Sequence, residues 1–169
     1  MLNGDEVFPQ DIFLDSVKNK TALVIVAHDD DAIGCAGTIT ELTKKGWKVH
    51  FLTFYGNYRM ADNPVRKKEV EQVSKIQNLS TLHLVNFSIQ KSDTVPEPWR
   101  PIPYTQFSNN FKVDSLRIII ENVINQHQPS VLFTLDNIIG GYGHPEHVCV
   151  SQCAIDASRG DKNTSVERI

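Results

Sequence analysis

The chain has 169 residues, 40% of them hydrophobic and 22% charged, and its formal net charge is −3. This length fits one globular domain, and the charge excludes the strongly basic balance of proteins that bind nucleic acids or anionic membranes. No stretch approaches the roughly 18 consecutive apolar residues of a membrane span, and the N-terminus lacks the apolar run of a signal peptide. We therefore expect a cytoplasmic protein with neither a membrane span nor a nucleic-acid partner.

Short apolar runs alternate with amphipathic segments along the chain. The runs are rich in β-branched residues, as is typical of buried parallel strands, and they cover residues 21–27, 48–54, 82–87 and 130–135. Segments with helical spacing of apolar residues follow them, at residues 36–45, 65–77, 113–126 and 145–157. Asn63 and Pro64 predict the start of the second helix, as N-cap and first helical residue. The alternation predicts a single α/β domain with a Rossmann-like, mostly parallel sheet flanked by helices.

Three segments fall outside this alternation. We interpret residues 1–20 as an N-terminal extension and residues 159–169 as a polar tail, disordered or truncated, which places the domain at residues 21–158. Residues 88–110 contain four prolines and predict a long ordered loop or lid. Trp99 and Tyr104 in this segment suit a pocket wall, a subunit contact or local packing, so a homo-oligomer remains open.

Four polar residues follow the first apolar run: His28, Asp29, Asp30 and Asp31. Three adjacent carboxylates repel one another, so we expect compensation from the amino end of the next helix or from a bound cation. The His-x-x-Asp spacing allows His28 and Asp31 to converge on one centre at a strand-to-helix turn. Any one aspartate also suits a helix N-cap, but one helix start needs only one cap.

A second polar cluster, Tyr142, His144, Glu146 and His147, lies on a glycine-rich loop after the fourth run. Ligand sites of parallel sheets lie beyond the carboxyl ends of the strands, where both clusters are expected. Catalytic zinc usually takes three protein ligands, and two close in sequence with a distant third fit that pattern. Zinc makes hydroxide available near neutral pH, a carboxylate serves as general base, and a second histidine stabilises an oxyanion. These groups suit hydrolysis of an amide.

The two motifs together resemble those of the LmbE/PIG-L-type N-deacetylase family. That family carries Ala-His-Pro-Asp-Asp after its first strand and His-Pro-Asp-His after a later one, and here the sequences are AHDDD (27–31) and HPEH (144–147). The glycines of IGCAGT (33–38) and the Arg66-x-x-Glu69 pair also match. The loop GGYGHPEH is similar to the branch that deacetylates N-acetylglucosaminyl-inositol compounds. The resemblance covers about residues 21–158.

The resemblance implies a chemistry and a role for each residue. A Zn2+ ion would have three ligands: His28, Asp31 and His147. Asp30 would be the general base, His144 would stabilise the tetrahedral intermediate with help from Tyr142, and Arg66 would contact the sugar. The implied reaction is hydrolysis of the N-acetyl group of an N-acetylglucosamine-type conjugate, which releases acetate and a free amine. The implied partner is a small-molecule amino-sugar substrate.

The chain departs from the family pattern in three ways. Asp29 replaces the motif proline and adds a carboxylate beside the expected metal site. Glu146 replaces the usual aspartate between the two histidines, so a hydrogen bond that orients His144 would need a different geometry. Relatives usually continue beyond the last motif helix, so part of the pocket is expected to be missing or to come from another subunit.

Three other interpretations compete with a deacetylase. A catalytically inactive family member that binds a sugar would account for the departures. A phosphoacceptor receiver domain also has an acidic cluster after its first strand, but it needs an aspartate at the end of its third strand. Here that strand ends in Asn86, Phe87 and Ser88, and His144 and His147 would be unexplained. A dinucleotide-binding domain needs G-x-G-x-x-G in its first turn, and that turn lacks it.

Overall fold

A computed structural model describes residues 11–55, 64–91, 102–160 and 165–169. Within these ranges four strands form one parallel sheet in the order β3-β2-β1-β4: β1 Thr21–Ile25, β2 Lys48–Phe54, β3 Thr81–Val85 and β4 Val131–Phe133. The α-helices are α1 Ile12–Ser16, α2 Ala36–Lys44, α3 Pro64–Ile76, α4 Phe107–Asn110, α5 Val113–His127 and α6 Pro145–Ser158. Two 3-10 turns cover Asp31–Cys35 and Tyr104–Gln106. The predicted α/β fold is confirmed. The predicted N-cap Asn63 lies outside the described residues, and Pro64 begins α3.

The sheet separates two hydrophobic cores. Successive side chains of a strand point to opposite faces, so Leu23 and Ile25 of β1 enter the core beneath α5 and α6. Ala22 and Val24 enter the other core, where Ile39 of α2 packs. Every residue of β1 is buried, which explains why its sequence is a continuous apolar run rather than an alternating one.

Local sequence explains where the main helices begin and end. The apolar stripe of α5 is buried against the sheet, and the helix stops where Gln128 adopts a left-handed conformation with φ 47°. His144 caps α6 and Pro145 is its first residue, where a missing N–H costs no helical hydrogen bond. Short-range chemistry therefore fixes the end of α5 and the start of α6, on either side of β4.

Residues 165–169 pair with the edge of the sheet and contact Asp11. The N–H of Glu167 donates to the carbonyl of Ser130 at 2.8 Å, and the N–H of Leu132 donates to the carbonyl of Arg168 at 2.9 Å. The Arg168 guanidinium lies 2.8 Å from Asp11, the residue that caps α1. A disordered tail is therefore the wrong prediction for residues 165–169, because backbone pairing at a strand edge requires no apolar side chains.

The proline-rich segment is partly described. Gln90 pairs with Phe111 in an antiparallel bridge, so the ends of the segment lie together. Phe107 and Phe111 are buried, which fixes α4 on the core beside α5. Residues 92–101, including Trp99, lie outside the described residues. None of the helices in the described ranges is long and apolar enough to cross a membrane.

Candidate metal centre

The turn after β1 brings a histidine and an aspartate to the carboxyl edge of the sheet. The Asp31 carboxylate accepts a hydrogen bond from the backbone N–H of His28 at 2.7 Å, so the turn closes on itself. The same carboxylate lies 3.3 Å from Nδ1 of the His28 ring. The His-x-x-Asp spacing therefore brings the imidazole and the carboxylate together, as expected from the sequence.

A glycine-rich loop after β4 supplies the opposite wall of the site. The Asp136 carboxylate accepts backbone N–H groups of Ile139 at 2.7 Å and Gly141 at 2.8 Å. These two hydrogen bonds hold the pKa of Asp136 below its usual value. The loop directs the carbonyl of Gly140 toward Nδ1 of His147, at 2.9 Å. Gly140 has φ +58°, and a Cβ there would lie 2.6 Å from Cβ of His147, so this position requires glycine.

The start of α6 points two further groups inward. Nδ1 of His144 accepts the backbone N–H of Glu146 at 3.2 Å, which caps the helix. His147 is 1% exposed and Glu146 is 3% exposed. The Glu146 carboxylate lies 2.6 Å from Nε2 of His28, and this contact joins two residues that are 118 positions apart in the chain.

Two histidine nitrogens and the Asp31 carboxylate converge at distances that suit a metal ion. Nδ1 of His28 and Nε2 of His147 lie 3.1 Å apart. The two oxygens of Asp31 lie 3.3 Å from the first nitrogen and 3.1 Å from the second. Tetrahedral zinc with bonds of ~2.0–2.1 Å places its ligand atoms roughly 3.3–3.4 Å apart. The three groups therefore fit one zinc ion with little movement.

The contacts of the outer ring nitrogens of His28 and His147 also indicate a metal site. Nδ1 of His147 donates to a carbonyl, and Nε2 of His28 faces a carboxylate, so the neutral rings carry their protons on these outer nitrogens. The inner nitrogens then present lone pairs to each other and to Asp31. Lone pairs and a carboxylate this close together require a cation or a proton between them.

The pKa values of His28 and Asp31 also indicate that this position attracts positive charge. Burial opposes a charge on His28, but hydrogen bonds to Asp31 and Glu146 outweigh it and raise the pKa of His28 to about 10. Burial also opposes ionisation of Asp31, yet its contacts with His147 and with a protonated His28 hold its pKa well below the usual range. Without a metal, a proton on His28 supplies the positive charge that the carboxylates attract.

His144 lies beside the convergent groups in a different protonation state. Ring nitrogens of His28, His144 and His147 lie within 4.8 Å of one another, so three histidines form a possible ligand set. However, Nδ1 of His144 accepts a hydrogen bond, so the neutral ring carries its proton on Nε2 and offers no lone pair there. Burial, together with the electrostatic influence of the neighbouring His28 and His147 rings, lowers the pKa of His144 to about 4. The geometry therefore favours Asp31 as the third ligand.

The remaining predicted residues surround this centre. The Asp30 side chain is 71% exposed and faces solvent next to Asp31. The Tyr142 ring lies 5.0 Å from the His147 ring and is largely exposed. Nη2 of Arg66 lies 2.7 Å from Asp29 and 4.0 Å from Asp30. The structure thus brings every residue selected from the sequence to one edge of the sheet.

Some contacts at the centre were not predicted. The Glu146 carboxylate contacts the His28 ring, whereas the sequence motif suggested a hydrogen bond to His144. A hydrogen bond from the Gln90 side chain also holds Glu146. Asp136 and the carbonyl of Gly140 were missed. An aspartate that follows a strand and precedes glycines is typical of a loop stabilised by its side chain, so the sequence contained a signal for Asp136.

The family assignment rests on most of the domain. The PIG-L family model, described as GlcNAc-PI de-N-acetylase, matches residues 23–158. The chain belongs to the PIG-L family. The match includes both polar clusters and all four strands except the first two residues of β1. A comparison with curated proteins finds no match.

Solved structures share the fold of this PIG-L chain. The N,N'-diacetylchitobiose deacetylase from Pyrococcus horikoshii is 22% identical with a TM-score of 0.57, and 82% of this chain covers 49% of it. The conserved protein TT1542 from Thermus thermophilus is 22% identical with a TM-score of 0.61, over 88% of this chain and 63% of that one. A zinc-inhibited form of teicoplanin deacetylase Orf2 is 16% identical with a TM-score of 0.61, over 85% and 65%. The chain thus spans about half to two thirds of these proteins.

Proposed function

We propose that the chain is a zinc-dependent N-deacetylase that hydrolyses the N-acetyl group of an N-acetylglucosamine-type conjugate. The observation that carries the proposal is the convergence of two histidine nitrogens and a carboxylate within 3.3 Å of one another. Family membership supports it, as do the deacetylases among the structures of similar fold. The products are acetate and a free amine.

In this proposal His28, Asp31 and His147 hold the zinc ion. Glu146 and the Gly140 carbonyl fix the orientation and tautomer of the two rings, as outer partners of metal-bound histidines commonly do. When bound, zinc lowers the pKa of water toward ~7 and polarises an acyl oxygen. The protein's own contribution is a set of ligands that hydrogen bonds hold in place, with His147 buried and the exposed Asp30 beside them.

Asp30 acts as the general base. Its carboxylate is next in sequence to a proposed ligand and is exposed, so it meets both a water molecule and an incoming substrate. It removes a proton from the attacking water as the bond between oxygen and the acyl carbon forms. The same proton then passes to the nitrogen as the C–N bond breaks, which balances the reaction without another reactant.

His144 and Tyr142 act on the acyl group and Arg66 on the sugar. Because Nδ1 of His144 accepts the N–H of Glu146, its Nε2–H is a hydrogen-bond donor toward the acyl oxygen in the tetrahedral intermediate. Tyr142 lies beside both histidine rings of α6, with ring centroids 6.3 Å from His144 and 5.0 Å from His147. Arg66 offers donors to sugar hydroxyl groups at the rim.

Metal content and turnover test the proposal together. Elemental mass spectrometry of the purified protein should find about one zinc per chain, and zinc-loaded protein should release free amine from N-acetylglucosaminides. Asp30→Asn should keep the zinc and lose roughly 10²–10⁴-fold in turnover, because a positioned base contributes that much. Asp15→Asn on α1, at the amino end of β1, is the matched control and should stay active. Sugar binding without turnover in the zinc-loaded protein would instead support an inactive sugar-binding protein.

A further inference from the structure

A cavity of about 260 Å³ lies beside the candidate metal centre, between α3 and the sheet. Asp29, Asp30 and Arg66 line part of it, so the cavity is continuous with the proposed catalytic site. The rest of its wall is mainly apolar and includes Ile33, Phe51, Val70, Val73, Leu79 and Leu82. Hydrolysis of the N-acetyl group itself does not require this apolar space.

Helix α3 carries exposed apolar side chains around the cavity. It has 13 residues, and none of its described side chains is buried. Val73 lines the cavity and is 50% exposed, and Ile33, which also lines it, is 85% exposed. An amphipathic helix on a sheet normally buries its apolar side, so an apolar occupant would complete this packing.

The charges of the cavity are unsuited to an anion. Among the described residues that line it, Arg66 is the one cation, whereas Asp29, Asp30 and Glu69 are acidic. Nη2 of Arg66 already lies 2.7 Å from Asp29, whose side chain is only 6% exposed. A phosphate group that approached Arg66 would therefore have to compete with a fixed carboxylate and face two more.

From this cavity and ion pair we infer that the enzyme takes conjugates with a neutral, largely apolar aglycone, and that Asp29 selects against phosphate-bearing ones by holding Arg66. The inference rests on the proposed function, because the cavity is relevant only as a neighbour of the reacting sugar. Asp29 is a positioning residue, because it holds Arg66. It acts through Arg66 and does not touch the reacting atoms.

Three substrates with the same amino sugar test the inference: hexyl N-acetylglucosaminide, methyl N-acetylglucosaminide and N-acetylglucosamine 1-phosphate. The hexyl compound should have a KM about 10-fold below that of the methyl compound, because it buries apolar surface. The phosphate should be the poorest substrate. In Asp29→Asn, kcat/KM for the phosphate relative to the hexyl compound should rise about 10-fold, mainly through KM, because Arg66 is released.

A matched pair of variants on α3 tests whether the cavity binds the apolar group. Val73→Gln places a polar group on the cavity wall and should reduce the advantage of the hexyl over the methyl compound. Val65→Gln is on the same helix but does not line the cavity, and it should preserve that advantage. Equal KM values for the hexyl and methyl compounds, or an unchanged phosphate preference in Asp29→Asn, would overturn the inference.

Binding measurements separate this inference from the proposed function. If zinc-loaded protein turns over none of the three substrates, the proposed function fails first. Isothermal titration calorimetry with the same three compounds then still decides the inference. Tighter binding of the hexyl compound than of the methyl compound and the phosphate supports it, and equal or reversed affinities overturn it.

Discussion

The fold divides the six histidines of the chain into two groups of three. His28, His144 and His147 belong to the candidate metal centre at the carboxyl ends of the strands. The second group, which we call the histidine stack, consists of His50 on β2, His83 on β3 and His127 at the end of α5. In the stack, Nε2 of His83 lies 2.7 Å from Nε2 of His127, and the rings of His50 and His127 are 3.7 Å apart.

Carboxylates distinguish the two groups. Asp31 and Glu146 form ion pairs with the rings of the metal centre, whereas the ion pairs found in the described parts of the chain include no residue of the stack. Hydrogen bonds to those carboxylates raise the pKa of His28, but burial and the positive charges of His127, His83 and Lys48 lower the pKa of His50 to about 4. Three clustered histidines therefore do not by themselves make a cation site.

Replacement of a proposed zinc ligand should have the largest effect on zinc binding, whereas replacement of a histidine of the stack should have almost none. His147→Ala removes one of two convergent nitrogens and should weaken zinc binding by more than about 100-fold, beyond what loss of an outer partner costs. Elemental mass spectrometry after dialysis against a weak chelator measures the retained zinc. His127→Ala is the matched control, because it removes a histidine from the stack.

Zinc retention in the two variants shows which histidine group binds the metal. Circular dichroism should verify that both fold, and His28→Ala provides a second ligand variant if His147→Ala does not. His127→Ala should keep about as much zinc as the unaltered protein. If zinc is lost from His127→Ala and kept by His147→Ala, the metal site lies in the stack.

Substitution of Gly140 should have the next largest effect, a loss of unfolding free energy. Gly140→Ala forces a positive φ on alanine and places its Cβ 2.6 Å from Cβ of His147, so we expect about 3 kcal/mol of lost unfolding free energy. Gly141→Ala has a similar φ of +81° and no atom within 4 Å, so it should cost only about 1 kcal/mol. Urea unfolding measures both. Equal losses would show that the close approach to His147 is unimportant.

Much of the fold and the site follows from short-range sequence signals. β1 is buried on both faces, so its sequence is a continuous apolar run that predicts a central strand. Because parallel strands end at one edge, the polar residues after β1 and β4 were expected to meet there. This holds although His28 and His147 are 119 residues apart in the chain.

Contacts that depend on the final packing could not be predicted. Glu146 reaches the His28 ring because α6 starts beside the turn after β1. The histidine stack forms because β2, β3 and the end of α5 bring together residues with no shared motif. Likewise, residues 165–169 pair with β4 through backbone groups, which leave no pattern in the side chains.

Removal of an outer partner should have an intermediate effect on zinc binding. Glu146→Gln replaces the carboxylate 2.6 Å from Nε2 of His28 with a neutral amide, so zinc affinity should fall about 10- to 100-fold. Competition with a chromophoric chelator measures the Kd. Glu121→Gln on α5, whose carboxylate lies 3.6 Å from Arg117 at the surface, is the control. An unchanged Kd for Glu146→Gln would mean that the carboxylate does not tune the metal site.

The smallest expected effect is the acid sensitivity that the histidine stack confers. The pKa of His50 falls from 6.5 to about 4 on folding, and burial also lowers the pKa of His83 and His127. Between pH 6.5 and 4 the unfolded chain therefore binds more protons at these sites than the folded protein, so they reduce stability as the pH decreases. Above pH 6.5 both states are neutral at His50 and the contribution disappears.

His50→Leu should remove part of this acid sensitivity. The side chain is buried, with no hydrogen-bond partner for Nδ1 in the described structure, so leucine keeps the packing and removes the titrating group. Urea midpoints at pH 7.5 and pH 5 should differ less in the variant than in the unaltered protein. The change in this midpoint difference should be modest, because the other two histidines are half-exposed and solvent screens their charge. A variant with the same pH dependence as the unaltered protein would assign the acid sensitivity elsewhere, and the contrast with the carboxylate-rich metal centre would then rest on geometry alone.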